Sequence, residues 1–119
     1  MVKIKKSQNP IRFDNRYAGI VIDCDEITIS IFAPPREHGK AHCHVRARKS
    51  KKVKGKSREV YPEIKVYLDG SGFDVITKGF SERDIKVIGE VIFNDSVAGQ
   101  ISNDEFLESK WKELHNGES

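Results

Sequence analysis

Phe80-Ser81-Glu82-Arg83-Asp84-Ile85 is the stretch at which the hydrophobic period of this chain changes. Ser81 suits a helix N-cap because its hydroxyl accepts a bond from an otherwise orphaned amide; Asp84 stands at N3, and Phe80 can staple against Ile85. Beyond it Ile85, Ile88, Val91 and Ile92 recur at three- and four-residue intervals, the stripe of an amphipathic helix, and Gly99 is a natural stop. The same punctuation returns at Ile101-Ser102-Asn103-Asp104-Glu105-Phe106, after which Phe106, Leu107, Trp111 and Leu114 continue one apolar stripe. Two helices therefore close the chain.

Upstream of Ser81 the period is two. Ile27-Thr28-Ile29-Ser30-Ile31-Phe32 places three isoleucines on one face of a strand, and it follows a β-branched run at 19–22 across the turn-like Asp23-Cys24-Asp25-Glu26. Pro34-Pro35 ends that hairpin, since proline has no donor for the ladder. Further strands are predicted at 41–48, 63–68 and 73–77, the last two joined by Asp69-Gly70-Ser71-Gly72, with a solvated loop over 49–58. Strands followed by helices give an α+β class: a small, mostly antiparallel sheet of about four to five strands with two C-terminal helices packed on it.

With 119 residues and 13.5 kDa there is room for one core. The organisation predicted is a flexible basic N-terminal arm over 1–16 and a single domain over 17–116 with a basic loop at 46–58. Residues 1–80 carry 17 Lys and Arg against 9 Asp and Glu, a net +8, whereas residues 81–119 carry 4 against 9, a net −5. A basic body favours a polyanionic partner; high charge also simply keeps a small protein in solution. The two cysteines, Cys24 and Cys43, are too few for a disulfide framework, and no apolar run is long enough for a signal peptide or a membrane span. The expected setting is the cytoplasm, with reduced thiols and no membrane partner.

Glu37-His38-Gly39-Lys40-Ala41-His42-Cys43-His44 gathers three of the chain's four histidines. On a strand, His42 and His44 project to one side, about 7 Å apart, and Cys43 to the other. His38 can fold back from the preceding loop. Three readings fit these residues. They form a half-exposed polar face; or His38, His42 and His44 hold a divalent transition metal that activates water; or they are an acid–base site for RNA cleavage, since imidazole titrates near neutrality.

This stretch, together with the strand Ile27–Phe32, resembles a family of small bacterial proteins of unknown function whose hallmark is an I-x-I-x-x-F strand followed by D-H-x-P-P-H-F-H-V. Downstream, the hairpin around Asp69-Gly70, the Gly79 turn into a helix and the last helix at Asp104-Glu105-Phe106-Leu107-Glu108-Ser109-Lys110-Trp111 are similar too. The likeness covers roughly residues 27–114. His38, His42 and His44 fall on the family's three histidine positions and Glu37 on its aspartate; Lys40-Ala41 replaces the proline pair and Cys43 the phenylalanine. Many members are assigned to toxin–antitoxin systems and are encoded beside a small partner protein, and the resemblance implies that setting and such a partner here.

Residues 46–58 carry Arg46, Arg48, Lys49, Lys51, Lys52, Lys54, Lys56 and Arg58 and no acid. Such a run releases counterions when it meets a phosphate backbone; as a bland alternative it is a Lys-rich hairpin tip. No aromatic residues interleave with it, which points to backbone contact without base reading. The expectation is a nucleic-acid-binding protein, for RNA above all, a candidate ribonuclease with His38, His42 and His44 as its site. The alternatives are a non-enzymatic protein-interaction module and a metal-binding protein.

Overall fold

The computed structural model describes residues 11–14, 19–32, 39–52, 54–55, 57–96 and 101–115. Strands come first and helices last: β1 (Ile11–Asp14), β2 (Gly19–Cys24), β3 (Ile27–Phe32), β4 (His42–Ala47), β5 (Glu63–Tyr67), β6 (Phe73–Thr77), α1 (Glu82–Asn94) and α2 (Asn103–Leu114). The strands form one sheet in chain order, each neighbouring pair antiparallel. This is the α+β arrangement that the change of period at Ser81 predicts. A meander needs no crossover, so each strand's backbone donors are met by the next strand along the chain.

The sheet has six strands rather than four or five because part of the expected flexible arm is ordered as β1. Its backbone pairs Ile11 with Ile22 and Asp14 with Gly19, covering an edge of β2 that would otherwise leave donors and acceptors unpaired. The other residues of the arm lie outside the described residues. β2 also runs further than its β-branched stretch suggests: Cys24 is buried opposite Ile27, so the turn shrinks to Asp25-Glu26. Asp25 takes φ 55°, a left-handed conformation that a short polar side chain tolerates.

Register explains the core. Ile22, Ile29, Val45 and Ile64 stand opposite one another in successive strands, and all are buried. Onto this face α1 brings Ile88, Val91 and Ile92, and α2 brings Leu107 and Trp111; Cys24 and Cys43 belong to the same cluster. Each fully buried aliphatic side chain contributes ~1.5–3 kcal/mol, so this row and the helical stripe are what hold the two layers together. On the other side runs the row Val21, Ser30, His44, Lys65 and Asp74. Cys43 and His44 therefore look to opposite faces, as period two requires.

Both helices begin where the sequence places them, and α1 has the full capping box: Ser81 Oγ accepts from Asp84 N at 3.1 Å, and Asp84 Oδ2 accepts from Ser81 N at 3.0 Å. α1 stops at Asn94, before the predicted Gly99, which lies outside the described residues. Its C-cap residue Asp95 turns extended and donates its N–H to Glu90 O at 3.2 Å. Gly79, with φ 149°, carries the chain from β6 into α1; a Cβ there would strike the ring of Pro62. Along β6 the register slips by one residue at Ile76, a bulge; on this edge strand Phe73 and Val75 stay 43% and 51% exposed although they pair with buried Val66 and Ile64. Bulges bend an edge strand away from regular pairing.

Candidate functional site

β4 joins the two parts of the sequence that carry chemistry: the histidines at its start and the basic segment at its end. His42 is 3% exposed, with its ring 4.8 Å from that of Trp111, 6.2 Å from Tyr67 and 5.4 Å from His44. Its Nδ1 lies 2.8 Å from the Lys40 carbonyl. A carbonyl only accepts, so Nδ1 carries the proton and, in the neutral ring, Nε2 is the basic atom. His44 is partly exposed, beside Phe32 at 5.7 Å, and its Nδ1 lies 3.1 Å from Glu63 Oε2. A carboxylate holding Nδ1–H fixes the ring and its tautomer and leaves Nε2 as the proton-exchanging atom, the arrangement used by acid–base histidines.

His42 and His44 thus come together on one face as their spacing predicts, but in different surroundings: His42 under rings, His44 against a carboxylate. His38 lies outside the described residues. Among the described residues no group of three His, Cys, Asp or Glu is arranged to hold a metal ion. A mixed site with the thiols is also unfavourable. β2 and β4 each pair with β3 rather than with each other, and both cysteines sit in the apolar cluster. Burial pushes the Cys43 thiol up to about 12; burial, with the nearby Asp23 and Asp95 charges, pushes Cys24 up to about 11.

Residues 46–58 are less free than a solvated loop. Lys51 and Val60 form a backbone bridge with N–O distances of 2.7 and 2.9 Å, so the segment leaves the sheet as a hairpin-like extension of β4 and β5. Lys51 Nζ reaches the Gly79 carbonyl at 2.8 Å, Lys49 pairs with Glu26 at 3.5 Å, and Arg48 reaches the Asp25 carbonyl at 3.4 Å. Arg46, Arg48, Lys49, Lys51, Lys52, Lys54 and Arg58 are all exposed. Lys56 lies outside the described residues.

Three residues are not evident from the sequence. Glu63 is 19 positions from His44, and only the β4–β5 register sets it diagonally across. Tyr61, two residues before β5, and Tyr67, its last residue, lie on the histidine side: Arg46 Cζ lies 4.9 Å from the centre of the Tyr61 ring, and Lys40 Nζ and Lys65 Nζ lie 4.8 and 5.5 Å from that of Tyr67. The basic run has no aromatic residue in sequence, yet strand pairing supplies two in space. A signal exists in Tyr61-x-Glu63-x-Lys65-x-Tyr67, whose alternation puts all four on one face.

Comparison with protein-family models, with curated proteins and with solved structures gives no match.

Proposed function

We propose that this protein binds nucleic acid, RNA foremost, through the hairpin at residues 46–58, as the nucleic-acid-binding component of a bacterial toxin–antitoxin-type system in the cytoplasm. One observation carries the reading: among the described residues, Arg46, Arg48, Lys49, Lys51, Lys52, Lys54 and Arg58 are all exposed, and the sequence places no acid between Arg46 and Arg58. Self-repulsion makes such a density unfavourable for a free surface, while each phosphate that it meets releases condensed counterions. The proposed chemistry at the base of the hairpin is RNA cleavage, with His44, oriented by Glu63, as base or acid and with His42 and His38 as its partners. A small protein encoded nearby is the proposed macromolecular partner.

The experiment is a titration of labelled RNA across a salt series with wild type and with Lys49, Lys51, Lys52 and Lys54 all changed to Gln. The variant should bind more weakly, and its log K against log salt slope should be shallower by roughly one for each phosphate that the four lysines neutralise. Unchanged affinity and slope would sink the reading. Incubating total RNA with wild type and with His44→Ala tests cleavage separately: fragments from wild type alone support the enzyme, and intact RNA in both lanes leaves a binding protein.

A protein-interaction module has one observation of its own. Phe73, Val75 and Ile76 are each about half exposed on the edge strand β6, apolar surface of the kind that partners cover. A metal-binding role finds no comparable support among the described residues.

A further inference from the structure

We infer that the nucleic acid is single-stranded, and that Tyr61 and Tyr67 on the histidine face of β5 are the platforms on which its bases stack. The inference rests on the nucleic-acid reading of the hairpin and adds what the rest of the ligand touches.

Alternation along 61–67 places Tyr61, Glu63, Lys65 and Tyr67 on one side of the sheet, with the backbone positions of the two tyrosines about 20 Å apart at ~3.3 Å per residue. Tyr61 is 44% exposed and lies next to the Lys51–Val60 bridge at the root of the hairpin. A strand whose phosphates are held by the hairpin therefore meets Tyr61 first and can run along β5 to Tyr67. Each ring already carries a cation: Arg46 on Tyr61, Lys40 and Lys65 on Tyr67. An exposed cation–π contact is weaker than stacking of a nucleobase, so an incoming base takes the ring and releases the cation toward the adjoining phosphate.

The charge of the face argues against a duplex. Arg46, Lys65 and Lys40 are countered by Glu63, Asp74 and Asp69; Tyr67 Oη donates to Asp74 at 2.6 Å, and Lys40 pairs with Asp69 at 3.1 Å. A duplex keeps its base faces stacked inside and presents phosphates, sugars and groove edges, so it gains little from a charge-balanced patch with two rings. An unstacked strand offers base faces, which suit rings flanked by mixed polar groups. Charge thus concentrates on the hairpin and aromatic surface on the sheet, matching the two chemistries of a single strand.

Fluorescence anisotropy with a labelled 12-nucleotide RNA, the DNA of the same sequence and the corresponding RNA duplex tests this. Wild type should bind at least one of the single strands more tightly than the duplex; whichever is tighter identifies the source. Tyr61→Ala, at an exposed position, should weaken single-strand binding about tenfold with an unchanged salt slope, and Tyr61→Phe should restore it. Tyr67→Leu should act in the same direction, with its melting temperature measured alongside. Equal affinity for duplex and single strand, or a Tyr61→Ala variant that binds like wild type, overturns the inference. If the four-lysine variant loses binding while Tyr61→Ala does not, stacking alone has failed. If wild type binds none of the probes, the nucleic-acid reading itself has failed.

Discussion

Cys43 stands between His42 and His44 in sequence and on the other side of the sheet in space, where it is completely buried. Its neighbours are apolar, so ionisation there would strand a charge, and the thiol is pushed up to about 12; Cys24, in the same cluster, is pushed up to about 11. Both shifts favour the protonated native form. Below the ordinary thiol value of 9.0 native and unfolded chains hold the proton alike and the contribution is fully present; above it the unfolded chain ionises first, and stability is lost as the pH climbs through 11 to 12. Urea midpoints at pH 7.5 and pH 10.5 check this by comparison with a Cys24→Ala, Cys43→Ala double variant. Wild type should lose more stability across that interval than the variant, and equal losses would contradict the assignment. The orientation of Cys43 is legible from period two alone. The Glu63 partner of His44 is not, because it depends on which residue of β5 comes to lie beside β4.

At the scale of elements, α1 and α2 open with the same sequence signature, a serine with an acid three residues on, preceded by a large apolar residue. Only α1 uses it fully. Ser81 and Asp84 exchange both capping bonds, whereas Ser102 makes no side-chain cap bond. The start of α2 is held instead by Asn103, fully buried, whose Nδ2 donates to the Val91 carbonyl of α1 at 2.7 Å, and whose backbone N–H donates to Asp95 O at 2.8 Å. Ser81→Ala should therefore cost about 1 kcal/mol, and Ser102→Ala should stay within about 0.5 kcal/mol of wild type. Denaturant unfolding of the two single variants decides it, and equal losses would mean that the caps are not distinguished as described. Local chemistry makes the helix starts, β3 and β6 readable, since alternation and capping are properties of a few consecutive residues. β1, the bulge at Ile76 and the buried Asn103 are not readable in that way. Each is set by a partner distant along the chain, which no short-range pattern encodes.

For the molecule as a whole, Trp111 connects the helical layer to the face that carries the histidines. Spacing with Phe106, Leu107 and Leu114 marks it as a core residue, and it is 6% exposed within the cluster that includes Leu107 and Ile88. What spacing cannot show is the line of rings it completes: Phe32, His44, His42, Trp111 and His115, the last stacked on the indole at 4.0 Å with Nδ1 2.9 Å from the Trp111 carbonyl. Removing the indole takes away core volume and the cover over His42 together. Trp111→Ala should cost about 3–5 kcal/mol, and in the variant that still folds His42 should become reachable by an imidazole-modifying reagent that spares it in wild type. Leu114→Ala, a truncation at the margin of the same helix, should cost less and leave His42 protected. A Trp111→Ala variant that melts like wild type and loses only nucleic-acid binding would instead make the indole a third stacking platform, and would move the ligand from the face of β5 to the junction of sheet and helix.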